Sequence, residues 1–158
     1  MGVKKIVLIF VCLLFTFSVT VNAQSTPDAA MKKFVKALLD KDRTAFLSVF
    51  SKTKHFQLTN PMNEGAESPH WKQQITYEVL STDLKKKEGL YWYLMERADS
   101  GEMDCFADAV TTTDGKAWRK IGTNKFIPPT SDRKSLTFVV WRKEGTRWVV
   151  AEISYPSA

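Results

Sequence analysis

Between residues 30 and 39 the apolar side chains fall at Ala30, Met31, Phe34, Val35, Leu38 and Leu39. This is the i, i+3, i+4, i+7 stripe of an amphipathic helix, and Lys32, Lys33, Lys36 and Asp40 take its opposite face. Thr26-Pro27-Asp28 predicts the start: a capping hydroxyl, a proline suited to the first helical position, and an acid at the positive helix end. Gln24-Ser25 before it reads as a short tail. The stripe breaks at Asp40-Lys41-Asp42, and a second short helix is expected from Arg43 to Phe50 with Asp42 as its N-cap. The two make a helical hairpin with a tight polar joint.

Residues 51–68 are less regular, with a brief strand expected around Lys54–Leu58 and turn chemistry at Asn60-Pro61 and Asn63-Glu64-Gly65. Ser68-Pro69 repeats the cap-plus-proline signal. Trp71, Ile75, Val79, Leu80 and Leu84 then fit a third helix from Pro69 to about Lys87, closed by Gly89. Lys85-Lys86-Lys87 suits the negative end of that helix without invoking a partner.

Beyond Gly89 the period changes. Strands are expected at Leu90–Ala98, Cys105–Thr112, Lys116–Phe126, Leu136–Lys143 and Arg147–Ile153, with turns at Asp114-Gly115 and Glu144-Gly145. Repeated strand, turn and strand make an antiparallel meander. With Glu144-Gly145 as a two-residue turn, one face of the last hairpin pairs Trp141 with Trp148 and Val139 with Val150. The other pairs Val140 with Val149, Phe138 with Ala151 and Leu136 with Ile153. Both faces are then apolar, which predicts that both are covered, since a sheet with one wet face alternates.

The amino terminus changes the picture of where the chain works. Lys4 and Lys5 precede an apolar run of 16 residues, Ile6 to Val21, and Val21-Asn22-Ala23 offers a cleavage site. That order is a secretory signal peptide over residues 1–23, cut after Ala23. An uncleaved anchor is the alternative, but the run is shorter than the roughly 18–20 residues a spanning helix needs. Residues 24–158 are then one secreted or periplasmic domain, long enough to bury a core, with no membrane contact after cleavage. Its formal charge drops from +6 to about +4 as Lys4 and Lys5 leave, a matter of solubility more than of binding. Cys12 leaves as well, so Cys105 alone remains and no intrachain disulfide can form. Cys105 reads as a small buried hydrophobe in a strand.

Helices first and a curved antiparallel sheet after them is an α+β layout. Two segments carry a family likeness. The opening Thr26–Asp42 running into Ala45–Phe50, and the closing Trp141–Val150, resemble the nuclear-transport-factor-2-like superfamily. That is the cone-shaped fold shared with ketosteroid isomerase, scytalone dehydratase and polyketide cyclases. Asp42 stands where the family has its recurrent joint between helices, and Trp141–Val150 matches its final hairpin. The resemblance covers about a third of the processed chain and is closest to uncharacterised exported branches. It implies a pocket enclosed by the cone, and it carries no catalytic signature.

Chemistry is sparse. The chain has no G-x-G spacing, no Walker sequence, no G-x-S-x-G elbow and no C-x-x-C. His55 and His70 are isolated, and no cluster suggests a metal. No cofactor is expected. The resemblance implies an Asp, His or Tyr inside the cone, where a buried carboxylate with a raised pKa serves as a general base. The candidates are Asp104 and Asp108, bracketing Cys105, and Tyr91 and Tyr93, which share a face of a strand. Trp71, Trp92 and Trp118 are the candidate pocket-lining aromatics. Trp118-Arg119-Lys120 and Trp141-Arg142-Lys143 interleave aromatic and basic residues, but one buried and one wet strand face explains them, and export argues against nucleic acid. Three functions stay open: a non-catalytic domain binding a small apolar or amphipathic ligand or a partner; an isomerase, dehydratase or cyclase using a pocket carboxylate or tyrosine; and an envelope interaction protein dimerising through its sheet.

Overall fold

The computed structural model describes residues 24–61, 71–96, 106–107, 118–129 and 136–156. Helix α1 spans Pro27–Leu39, and Thr26 Oγ1 accepts from the Ala29 amide at 3.1 Å as its cap. Ala30, Met31, Phe34 and Leu38 of the expected stripe are buried, together with Ala37, whereas Val35 is half-buried and Leu39 is 53% exposed, because the buried arc is centred on Phe34 and Leu38 and leaves Leu39 at its edge. Lys41 adopts φ 50 at the joint, and Asp42 caps α2, Arg43–Leu47, through the Ala45 amide. The helix is shorter than expected, and Ser48–Phe50 continue it as a turn. Gln24 is no free tail. Its carbonyl accepts from the Trp148 amide and its side chain donates to the Ser48 carbonyl.

β1, Phe56–Asn60, pairs antiparallel with β2, Trp71–Ile75. The second element corrects the expected helix from Pro69. Trp71 and Ile75 lie four apart, and that spacing shares a face in a strand as well as in a helix. Pairing with β1, Phe56 against Ile75 through Asn60 against Trp71, decides between them. The helix starts later, as α3 from Tyr77 to Lys86, capped by Thr76 through the Val79 amide. It ends on Lys87 in the left-handed conformation, φ 58.

Leu90–Met95 forms helix α4, where a strand was expected. Tyr91, Leu94 and Met95 are buried and Trp92 is exposed, the i, i+3, i+4 pattern of a helix with one face inward. Phe106 and Ala107 are also helical rather than extended, and the rest of Cys105–Thr112 lies outside the described residues. The expected strand Lys116–Phe126 is in fact a hairpin. β3, Arg119–Ile121, turns at Gly122 (φ 66) into β4, Lys125–Ile127.

β5, Phe138–Glu144, and β6, Arg147–Ser154, complete a six-stranded sheet in the order β2-β1-β6-β5-β4-β3. The sheet is mixed rather than wholly antiparallel, because β1 runs parallel to β6. The β5–β6 register also differs from the sequence reading. Gly145, φ 59, takes the first central position of the turn, so Glu144 faces Arg147 and Trp141 faces Val150. Ala151 then bulges out: Trp141 pairs with Val150, and Val140 pairs with Glu152. One extra residue puts Ile153 on the face shared by Val139, Trp141 and Val150, and turns Glu152 and Ser154 to the other.

All the described helices contribute to one core on the first face. Phe34, Phe46, Phe50, Leu80, Leu84 and Leu94 meet Phe56, Leu58, Phe126, Val139, Trp141, Val150 and Ile153 there. The outer face is not fully solvated: Val149 and Ile127 are buried yet stand apart from that core cluster, and Phe138 and Val140 are half-buried.

Candidate functional site

The interior face is an unbroken run of aromatic rings. Phe46 stacks between Phe34 at 5.4 Å and Phe50 at 5.0 Å, and Phe50 reaches Phe56 at 4.8 Å. Phe34 also meets Trp141 edge-on at 6.0 Å and Phe106 at 5.8 Å. Phe106 extends the run to Trp118 at 6.3 Å and to Tyr155 at 6.0 Å. These rings come from α1, α2 and the turn after it, the helical Phe106, and four strands or their flanks, so the fold converges them on one volume. Such contacts favour tilted and edge-on geometry because the ring face is negative and the edge positive.

Two polar atoms break this apolar run. The indole Nε1 of Trp118 and of Trp141 are both buried without a hydrogen-bond acceptor among the described residues. A buried indole N–H ordinarily finds one. Trp118 was a candidate from sequence. Trp141 reads from sequence as an aromatic next to basic residues and as the partner of Trp148 on an apolar strand face, and its unpaired donor depends on distant rings that no local pattern reveals.

The other sequence candidates separate. Tyr91 and Tyr93 sit two apart on a helix, not a strand, so they face different ways. Tyr91 donates to Glu96 Oε1 at 2.6 Å, and Lys41 donates to Glu96 Oε2 at 2.9 Å. Burial, followed by that hydrogen bond, pushes the Tyr91 phenol up to about 12. The same Tyr91 and Lys41 contacts hold the Glu96 carboxyl below the usual range. Tyr93 donates to the Tyr155 carbonyl at 2.9 Å, and burial drives its phenol far upward too. Both tyrosines are therefore neutral donors with their protons committed. Trp92 is 45% exposed and stacks edge-on with Tyr91, so it does not line the interior. Trp71 enters through its backbone at the start of β2, and its side chain lies outside the described residues, as do Asp104, Asp108 and His70. His55 is exposed.

Elsewhere, Arg119, Lys120, Ile121 and Gly122 line a shallow polar depression of about 240 Å³ at the sheet edge. Among the described residues no group of three His, Cys, Asp or Glu side chains could hold a metal ion, and no helix is long and apolar enough to cross a membrane. Comparison with family models, with curated proteins and with solved structures finds no match for this chain.

Proposed function

We propose that the chain is an exported binding domain of the nuclear-transport-factor-2-like type, non-catalytic, which holds a small apolar or amphipathic molecule against its aromatic interior. The observation that carries the reading is the pair of buried indole donors, Trp118 and Trp141, set without acceptors in one ring system. A molecule that is mostly apolar but carries an oxygen acceptor satisfies both requirements of that lining. The opening helical pair, and the packing of every described helix into the one core against the sheet, support the family reading, although β1 and β2 come before α3 and α4 rather than after all the helices. The chemistry of Tyr91 and Tyr93 supports binding over catalysis, because a phenol pushed up to about 12 and already donating is a poor base at neutral pH.

Nile red, neutral, apolar and carbonyl-bearing, tests this. Its fluorescence is expected to rise saturably with the protein, and Trp118→Phe to weaken its binding about fivefold, the worth of one neutral hydrogen bond. Native mass spectrometry of protein from its own host should show a retained small molecule. A dye that does not bind, together with a ligand-free native mass, rejects the binding reading.

A further inference from the structure

The outer face of the sheet holds a cluster that the aromatic interior does not use. On β5, Phe138, Val140, Arg142 and Glu144 alternate outward, and the register sets Val149 opposite Arg142, and Arg147 opposite Glu144. Lys125 on β4 stands opposite Val140. Arg142 therefore rises between Val140 and Val149, over an apolar floor.

Its guanidinium is poorly provided for. Nε and Nη2 are both buried, and neither meets a hydrogen-bond acceptor among the described residues. Arginine cannot shed its charge to relieve this, and each buried donor left without an acceptor carries its desolvation penalty in full. The two orphaned donors are also not any two of the five. Nε–H and Nη2–H share one edge of the planar group and point the same way, the fork that meets both oxygens of a carboxylate in parallel bonds.

Among the described residues the two carboxylates of this face, Glu144 and Glu152, are already engaged. Glu144 Oε1 accepts from Ser51 Oγ at 2.8 Å, and its Oε2 lies 3.6 Å from Arg147 Nη2. Glu152 Oε1 accepts from Gln57 Nε2 at 3.1 Å and Thr59 Oγ1 at 2.9 Å. Lys125, its ammonium 3.7 Å above the Phe138 ring, adds a second positive charge beside the same floor.

We propose that Arg142 is the anion receptor of a binding site on the outer sheet face, which takes a small amphipathic carboxylate. The two carboxylate oxygens accept from Nε and Nη2, and the hydrocarbon lies over Val140, Val149 and Phe138. Entry requires the half-buried side chains of this face to part, and the new ion pair offsets that cost. An inorganic anion would satisfy the fork but leave the floor without an apolar partner. The site lies across the sheet from Trp118 and Trp141 and stands independently of ligand binding there.

Calorimetric titration of the protein with octanoate and with 1-octanol decides the matter. Octanoate is expected to bind about tenfold more tightly or better, since only the anion engages the fork. Arg142→Met should remove that preference while leaving Nile red binding unchanged. Arg142→Lys keeps the charge and stem but not the fork, and should lose most of the preference. If Arg142→Met does not fold, the lysine variant still decides. Equal binding of the two probes by the unaltered protein, no binding of either, or full preference retained in either variant overturns the assignment. An octanoate-dependent doubling of mass in sedimentation also overturns it, because the occupant would then be a second copy of the chain.

Discussion

Tyr91 shows how a single side chain can be prominent in sequence and still not be reactive. Its phenol, Glu96 and Lys41 form a chain of hydrogen bonds at 2.6 and 2.9 Å, and Lys87 stands 5.9 Å over its ring. Lys41 and Lys87 are the two described non-glycine residues with positive φ, so two left-handed lysines close on one tyrosine–carboxylate pair. The pH signature follows from the directions of the shifts. The raised phenol contributes stability that is complete below its ordinary value, about 10, and is lost as pH climbs toward about 12. The lowered Glu96 contributes stability present above its ordinary value and lost as acid carries it through its folded value. Tyr91→Phe should cost about 1 kcal/mol at neutral pH, as one part-buried hydrogen bond, and should reduce the alkaline loss, the raised Tyr93 phenol keeping its own share. Denaturant unfolding at pH 7 and pH 11 measures both. In an ultraviolet titration Glu96→Gln should lower the Tyr91 midpoint only in part, because burial is the larger cause of its shift. Lys87→Gly should raise stability by about 0.5–1 kcal/mol, because glycine occupies the left-handed helix end without strain. An unchanged or lowered melting temperature would show that the cation over Tyr91 outweighs that strain.

Among the elements, Gly89 gives the sharpest local prediction. It joins α3 to α4 at φ 51 and ψ −114, outside the range of other residues. A Cβ there would sit 2.5 Å from Asp83 Oδ2, the atom that accepts from the Leu90 amide. Gly89→Ala should cost about 1–3 kcal/mol, and Gly145→Ala less, since its Cβ meets nothing within 4 Å and only its φ of 59 is strained. Equal melting temperatures for the two variants would refute that ranking. The contrast also marks what the sequence could convey. Thr26, Asp42 and the α1 stripe, apart from the exposed Leu39, were legible because caps and 3.6-residue periodicity are local. The last hairpin was legible as a hairpin but not in register. That depended on which turn position Gly145 fills, and on a bulge at Ala151 that has no signature of its own. The span Leu90–Met95 misled because aromatic residues favour strands on average, and burial of Tyr91, Leu94 and Met95 against neighbouring helices overrides that preference. The parallel pairing of Gln57 with Glu152 joins residues 95 apart, and no local pattern reports it. The candidate site follows the same rule. Trp118 stood out by type, whereas the orphaned donors of Trp141 and Arg142 exist only after distant strands have met.

For the molecule as a whole, the proposed export and the observed fold meet at Gln24. Cleavage after Ala23 makes Gln24 the first residue of the processed chain, and in the structure Gln24 is already committed to the core domain. It is 5% exposed, its carbonyl accepts from the Trp148 amide at 2.9 Å, and its Nε2 donates to the Ser48 carbonyl at 3.2 Å. These two bonds tie the new terminus to β6 and to the end of α2, beside the turn that carries Phe50 into the aromatic run. A cut at this bond leaves both of these hydrogen bonds with the processed chain. A cut even two residues later would strip both bonds, leaving the Trp148 amide without its acceptor. The processed protein is accordingly expected to begin at Gln24 by intact mass. A chain begun at Thr26 should be less stable than one begun at Gln24 by about 1–2 kcal/mol, the worth of two hydrogen bonds at a partly buried edge. Equal stability of the two chains would mean that Gln24 merely rests on β6. A native terminus downstream of Gln24 would mean that the domain is completed without it, and that the docking of Trp148 must be supplied by another group.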